Sequence, residues 1–205
     1  MLKKFFSAFS VAVIIFFAAN SQALAAKNVA VILEMPTGTF SEPEKVQATV
    51  LASLEKILGN LNDYNIAPVE DVASYVQVYR EENDLVETVT AEGTAVEAFL
   101  KKADVDKIGK HFNSDYVIYL RVSSTVPKVS VGVFSTSQTV NAILDFRVWS
   151  DVVQDFTYIK RTTKSGTSSA IYAGIGSSAR ALDKALKKCL HEVEKDAEKV
   201  RAVIE

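Results

Sequence analysis

Ser53-Leu54-Glu55-Lys56 fits S-x-x-K, and Lys164-Ser165-Gly166 resembles K-T-G. Serine penicillin-recognising enzymes use such fragments to set a nucleophilic hydroxyl beside a lysine. That chemistry needs the serine exposed at the start of a helix. Ser53 instead falls in mid-helix, one residue before core-facing Leu54, and no S-x-N or S-D-N element stands between the two fragments. Gly174-Ile175-Gly176-Ser177-Ser178-Ala179 fits G-x-G-x-x-A, the fingerprint that seats a dinucleotide pyrophosphate on a helix N-terminus. It requires a second parallel strand after the helix, and here the helical pattern continues to the last residue. The glycines are therefore read as a turn off the preceding strand, with Ser177 or Ser178 capping the helix. No nucleotide is expected.

The remaining reactive side chains are scattered. Asp104, Asp106 and Asp115 half-match a calcium loop, but the fifth place is Ile108 and the twelfth is not the bidentate Glu. A helical turn with solvated carboxylates fits better. His111 and His191 are the only histidines, and neither has a partner at metal-ligand spacing. His191 lies among charged positions, on a solvated face. Cys189 lies on an apolar stripe and reads as a small buried hydrophobe, not a nucleophile. The expectation is no catalytic residue, no cofactor and no metal.

The elements that would have to position any chemistry are clearer. Residues 27–34, KNVAVILE, form a continuous apolar run, the pattern of a strand covered on both faces. Ser41 and Glu44 suggest a capping box around Pro43, opening a helix with Val46, Val50, Leu54, Ile57, Leu58 and Leu61 on one face. Residues 64–70 predict a short strand, 70–82 and 92–112 helices, and 115–124 another strand. Between 140 and 148, Val140, Ala142, Leu144, Phe146 and Val148 share one side of a strand, while Asn141, Asp145 and Arg147 take the other. Ile143 and Trp149 fall on that polar side, so it too should be partly covered. Residues 155–166 predict a hairpin partner. A long closing helix carries Leu182, Ala185, Leu186, Cys189, Leu190, Val193, Ala197, Val200 and Ile204 on one stripe. The order β-α-β-α-α-β-β-β-α indicates an α/β fold, one domain with a mixed β-sheet and packed helices.

Composition narrows the function classes. Lys3 and Lys4 precede an uncharged, mostly apolar run, and Ala23-Leu24-Ala25 supplies a small-x-small site. Residues 1–25 thus read as a signal peptide cleaved before Ala26, leaving 26–205 as a single domain with no stable membrane span, exported into a bacterial periplasm. The alternative is an uncleaved anchor, since the charge-free run from Phe5 to Ala26 is just long enough to span a bilayer. Of 23 Lys and Arg, two belong to the leader, so 21 face 25 Asp and Glu in the mature chain. That mildly acidic balance argues against a nucleic-acid partner. A single Cys excludes an internal disulfide.

One stretch exceeds what a turn requires. Residues 123–139, SSTVPKVSVGVFSTSQT, join two strands, are rich in hydroxyls, and alternate at Val129, Val131 and Val133. The stretch is either an extended hairpin packed on its own domain or an exposed apolar finger. In the second case Val129, Val131, Val133 and Phe134 are the partner-binding residues, for another envelope protein or another copy of the chain.

The opening strand NVAVILEM, the segment HFNSDYVIYLRV, the strand TVNAILDFRVWSD and the closing helix GIGSSARALDKALKKCL together resemble the bacterial cell-envelope superfamily of CsgG, the TolB amino-terminal domain and the LpoB activators. The resemblance spans most of the mature chain and rests on strand patterns, not on a catalytic signature. It implies an anticodon-binding-domain-like α/β sandwich with non-enzymatic work in assembly, scaffolding or regulation. CsgG and LpoB are lipid-anchored, and this chain lacks the acceptor Cys. CsgG inserts hairpins from about the positions of residues 125–139 and 160–172, but here those segments are short and carry Pro127, Lys128 and Lys164. The alternatives are a subunit of a self-assembling ring or pore, and an envelope hydrolase.

Overall fold

A computed structural model describes residues 26–35, 42–85, 88–89, 95–96, 99–133, 135–171 and 176–204. Residues 1–25, where a leader and its cleavage point are expected, lie outside them. A mixed sheet is built from β1 (Lys27–Glu34), β2 (Tyr64–Ile66), β5 (Tyr116–Ser124), β6 (Lys128–Val131), β7 (Ser135–Ser150) and β8 (Asp155–Ile171). β2 and β5 flank β1 in parallel, and β7 runs antiparallel to β5, β6 and β8. β5 and β6 share one side of β7 in tandem, while β8 follows its whole other side.

Helices cover both faces, so the architecture is the expected α/β sandwich. On one face α1 (Pro43–Leu58), α4 (Ser178–Glu194) and α5 (Ala197–Ile204) bury Val50, Leu54, Ile57, Leu186, Val193 and Val200. They pack on Val29, Val31, Ile118, Leu120 and the even residues Val140 to Val148. On the other, α2 (Val69–Glu82) and α3 (Lys102–His111) set Val72, Val76, Val105 and Ile108 against Ala30, Ile32, Val117, Tyr119 and Trp149. A strand with helices on both sides has no solvated face, which is why Val29–Leu33 of β1 and Val117–Leu120 of β5 are continuous apolar runs. The α4–α5 stripe is buried as predicted, except that Ala197 is only half-buried.

Along one margin of the α2–α3 face runs a row of charge that periodicity alone does not disclose. Glu34, Arg121, Asp145 and Arg161 are register partners on β1, β5, β7 and β8, so acid and base alternate across four strands. Glu34, Arg121 and Asp145 are buried. Glu34 accepts hydrogen bonds from Arg80 Nε at 3.0 Å and from the Tyr119 hydroxyl at 2.6 Å, with Arg121 Nη1 at 3.8 Å. Arg121 stacks on the Phe99 ring, 3.9 Å from its centroid.

The elements differ from expectation in five places. The strand expected over 64–70 stops at Ile66, and α2 begins at Val69. Residues 95–96 are not helical: β4 (Ala95–Val96) pairs antiparallel with β3 (Thr88–Val89), and the helix begins only at Lys102. β-branched Thr and Val on both sides of Gly93 favour extended backbone over helix there. The closing helix is two helices, α4 and α5, separated at Lys195–Asp196. The Asp196 carboxylate accepts from Lys160 at 2.6 Å and from the Tyr158 hydroxyl at 3.0 Å, anchoring the break to β8. α1 starts at Pro43 with Glu42 in the N-cap position and no side-chain cap, so the expected capping box does not form; Ser41 lies outside the described residues. Finally, β8 continues five residues past Gly166. A Cβ on Gly166 would stand 1.9 Å from the Ala181 carbonyl oxygen and 2.7 Å from the Ala185 nitrogen, so this glycine is where α4 lies directly on the strand.

Candidate interaction surface

The long stretch between β5 and β7 is an extended hairpin. β6 pairs with β7 in register, Lys128 with Thr139 through Val131 with Thr136. A one-residue change of register separates β5 from β6, because Ser124 faces Ala142 while Lys128 faces Thr139. Pro127, which has no N–H for the ladder, sits at that discontinuity. The valines are not absorbed by the domain: Val129 is 54 %, Val131 79 % and Val133 90 % exposed, and Val126 is exposed too. None of them belongs to either core cluster. Phe134 lies outside the described residues. Sequence reasoning left packed and exposed hairpins both open, and the structure shows the exposed one.

Beside this tip, the second face of β7 and β8 is a hydroxyl surface. Thr139 and Thr167 hydroxyls lie 3.0 Å apart, and the Ser165 hydroxyl donates to Asn141 Oδ1. Cross-strand polar pairs of this kind stabilise the ladder without an apolar cover. Gly176 lets the chain cross back over the tip's base, since a Cβ there would stand 2.0 Å from the Ser168 carbonyl oxygen. Ser177 then caps α4, its hydroxyl accepting from the Arg180 N–H at 3.3 Å. Gly174 and Ile175 lie outside the described residues.

The reactive side chains singled out in the sequence have structural partners. Ser53 does meet His191 and Glu194, in a groove between α1 and α4 whose rim carries Lys45, Lys56 and Lys187. The connectivity is the reverse of a hydrolase triad. The Ser53 hydroxyl donates to Glu194 Oε1 at 2.8 Å, and His191 Nδ1 sits 3.5 Å from Oε2, so the carboxylate stands between serine and imidazole. Burial pushes the Glu194 carboxyl up, but the hydrogen bonds from Ser53 and His191 and the nearby Lys56 outweigh it and hold it below its usual range. A base weakened in this way, bound to a serine only 3 % exposed, is a tether between helices. Lys164 binds a different carboxylate, Glu192, at 3.0 Å, so the two penicillin-enzyme fragments do not converge.

Asp104 accepts from the Lys101 N–H and the Tyr79 hydroxyl, both at 2.8 Å, and Asp106 pairs with Lys110. These aspartates serve α3. The Tyr79 phenol is pushed up to about 12, by burial first and then by Asp104. His111 stacks on Tyr75 with centroids 3.7 Å apart. Cys189 is buried, its thiol 3.4 Å from the Ala142 carbonyl oxygen and raised chiefly by burial. Among the described residues no cluster of His, Cys, Asp or Glu is arranged to hold a metal, and no helix is long and apolar enough to cross a membrane.

No protein-family model matches the chain, and no curated protein matches it. Solved structures do. The lipoprotein GNA1162 from Neisseria meningitidis is 14 % identical over 82 % of this chain and 99 % of that one, with a TM-score of 0.36. The LpoB C-terminal domain from Salmonella enterica is 10 % identical over 72 % and 88 %, with a TM-score of 0.33. A PelC dodecamer from Paraburkholderia phytofirmans is 13 % identical over 86 % and 91 %, with a TM-score of 0.40.

Proposed function

We propose that the protein is an exported, non-enzymatic module of the bacterial cell envelope that works by protein–protein contact through the tip of the β6–β7 hairpin. The observation that carries this reading is the exposure of Val129, Val131 and Val133 on an ordered hairpin, outside both core clusters. Val78, Val152, Val153 and Ile159 are also exposed, but Val126, Val129, Val131 and Val133 stand within eight residues on one hairpin. Apolar side chains gathered in this way are the ordinary mark of a contact surface. Export is supported by the basic start, apolar run and Ala23-Leu24-Ala25 site. A non-catalytic role is supported by the tethering of Ser53, His111 and Cys189 into the fold, which leaves none of them poised beside a base.

The tip's composition supports this reading over a membrane pore. A spanning β-strand turns every second residue to lipid. Lys128 and the polar residues Ser135 to Thr139 of β7, with Thr163 to Ser169 of β8, provide no such stripe. The test is a pull-down from envelope extracts using the mature chain and a variant with residues 126–134 replaced by a short turn. A specific envelope protein should be recovered by the first and lost with the second. Equal recovery by both, or nothing above background with either, would refute the reading.

A further inference from the structure

The hairpin's hydrogen bonding shows what its outer edge offers. The Gly132 N–H donates to the Ser135 carbonyl at 2.7 Å, which makes Gly132 and Ser135 a hydrogen-bonded pair. Pairs alternate along an antiparallel ladder, so Ser130–Ser137 and Lys128–Thr139 are also hydrogen-bonded pairs. Val131–Thr136 and Val129–Gln138 are not. The N–H and C=O of Val129 and Val131 therefore point away from β7, on the same two residues whose side chains are exposed.

The other long edge of the sheet is guarded. Lys184 Nζ donates to the Thr167 carbonyl at 3.1 Å and Lys188 Nζ to the Ser165 carbonyl at 2.9 Å, so lysines of α4 occupy outward carbonyls of β8. Lysines bonded to an edge strand's outward carbonyls occupy the positions an added strand would use. Among the described residues, β6 has no such cover.

We propose that the outer edge of β6 is a strand-addition site for an extended segment of another envelope protein, one that lays apolar residues beside Val129 and Val131 and brings a carboxylate to Lys128. This rests on the hairpin being the contact surface. Lys128 is the only charged residue between Arg121 and Asp145, so the tip selects for an acidic partner. A second copy fits poorly. Joining β6 to another copy's β8 sets Lys128 beside Lys184 and Lys188, all cations. Joining β6 to β6 brings two Lys128 side chains to one short ladder and a carboxylate to neither, since residues 122–144 contain no Asp or Glu.

The experiment places a photo-crosslinking amino acid at Ser130 of the full chain in intact cells. Val131→Pro removes an outward N–H while leaving the β6–β7 bonds, which run through residues 128, 130 and 132. Val131→Thr keeps that N–H and the β-branched shape. Thermal midpoints matching the parent establish that both variants fold. The adduct should survive Val131→Thr within about two-fold and fall about ten-fold or more with Val131→Pro and with Lys128→Glu. Full crosslinking by Val131→Pro, or equal loss with Val131→Thr, overturns strand addition and leaves the hairpin a side-chain contact. An adduct of two copies of this chain overturns the choice of occupant. No adduct even in the parent overturns this proposal together with the contact surface it rests on.

Discussion

Asp196 gathers three donors at the α4–α5 break: Lys160, Lys199 and the Tyr158 hydroxyl. The Lys160 bond, followed by those of Lys199 and Tyr158, holds its carboxyl far below the usual carboxylate range. A group depressed in the folded state stabilises above its unfolded pKa, about 3.9, and loses that contribution as pH falls toward the folded value. The stability difference between wild type and Asp196→Asn should therefore stay constant above about pH 5 and shrink through pH 4 and below, as read from urea midpoints across the pH range. The ionic row makes a larger demand. Glu34→Gln leaves Arg80 and Arg121 facing a neutral amide in a buried setting, and should lower unfolding free energy by roughly 3–5 kcal/mol. Tyr119→Phe should cost about 1–2 kcal/mol, because the arginines still pair with Glu34. Cys189, buried and with its thiol raised, should react with a maleimide roughly 100-fold more slowly in the native protein than in urea.

At the scale of elements, Gly166 is the joint between α4 and β8. Gly166→Ala drives a methyl into helix backbone and should destabilise by more than roughly 3 kcal/mol. Gly132→Ala meets the Ser135 carbonyl oxygen at 3.3 Å and its Oγ at 3.4 Å and should cost less than about 1 kcal/mol in the same denaturation assay. This joint also explains what the sequence discloses and what it hides. The α4 stripe and the alternation of β7 are legible because each buries one periodic face. The last third of β8 is not, since Ser165, Gly166, Thr167, Ser168 and Ser169 have a loop's composition and owe their extended form to pairing with β7. The row from Glu34 to Arg161 is hidden for another reason: each member is a single charge in its own strand, and only the register aligns them. Of the interaction surface, the valine alternation is legible, but neither exposure nor the direction of the backbone N–H groups can be read from residue order. Those depend on where α4 begins and on the shift at Pro127.

At the scale of the whole molecule, the proposed function assigns contact to the β6–β7 tip and support to the rest of the domain. On the α2–α3 face the ionic row marks the limit of the helical cover, and beyond it the strands carry hydroxyls; on the opposite face α4 continues over Val140, Ala142 and Gly166, and exposed valines stand on β6. Export is part of the same account. Ala25→Leu places a bulky residue at the cleavage site and should retain a species longer by the 25-residue leader, seen by mass spectrometry of envelope fractions. The most direct test of the central claim compares photo-crosslinkers placed singly at Val129, Val131 and Val133 with others at Val78, Val152 and Ile159, which are exposed hydrophobics on the body. The account predicts a shared, specific adduct from the three tip positions and none from the body. An adduct formed only from body positions, with a silent tip, would contradict it.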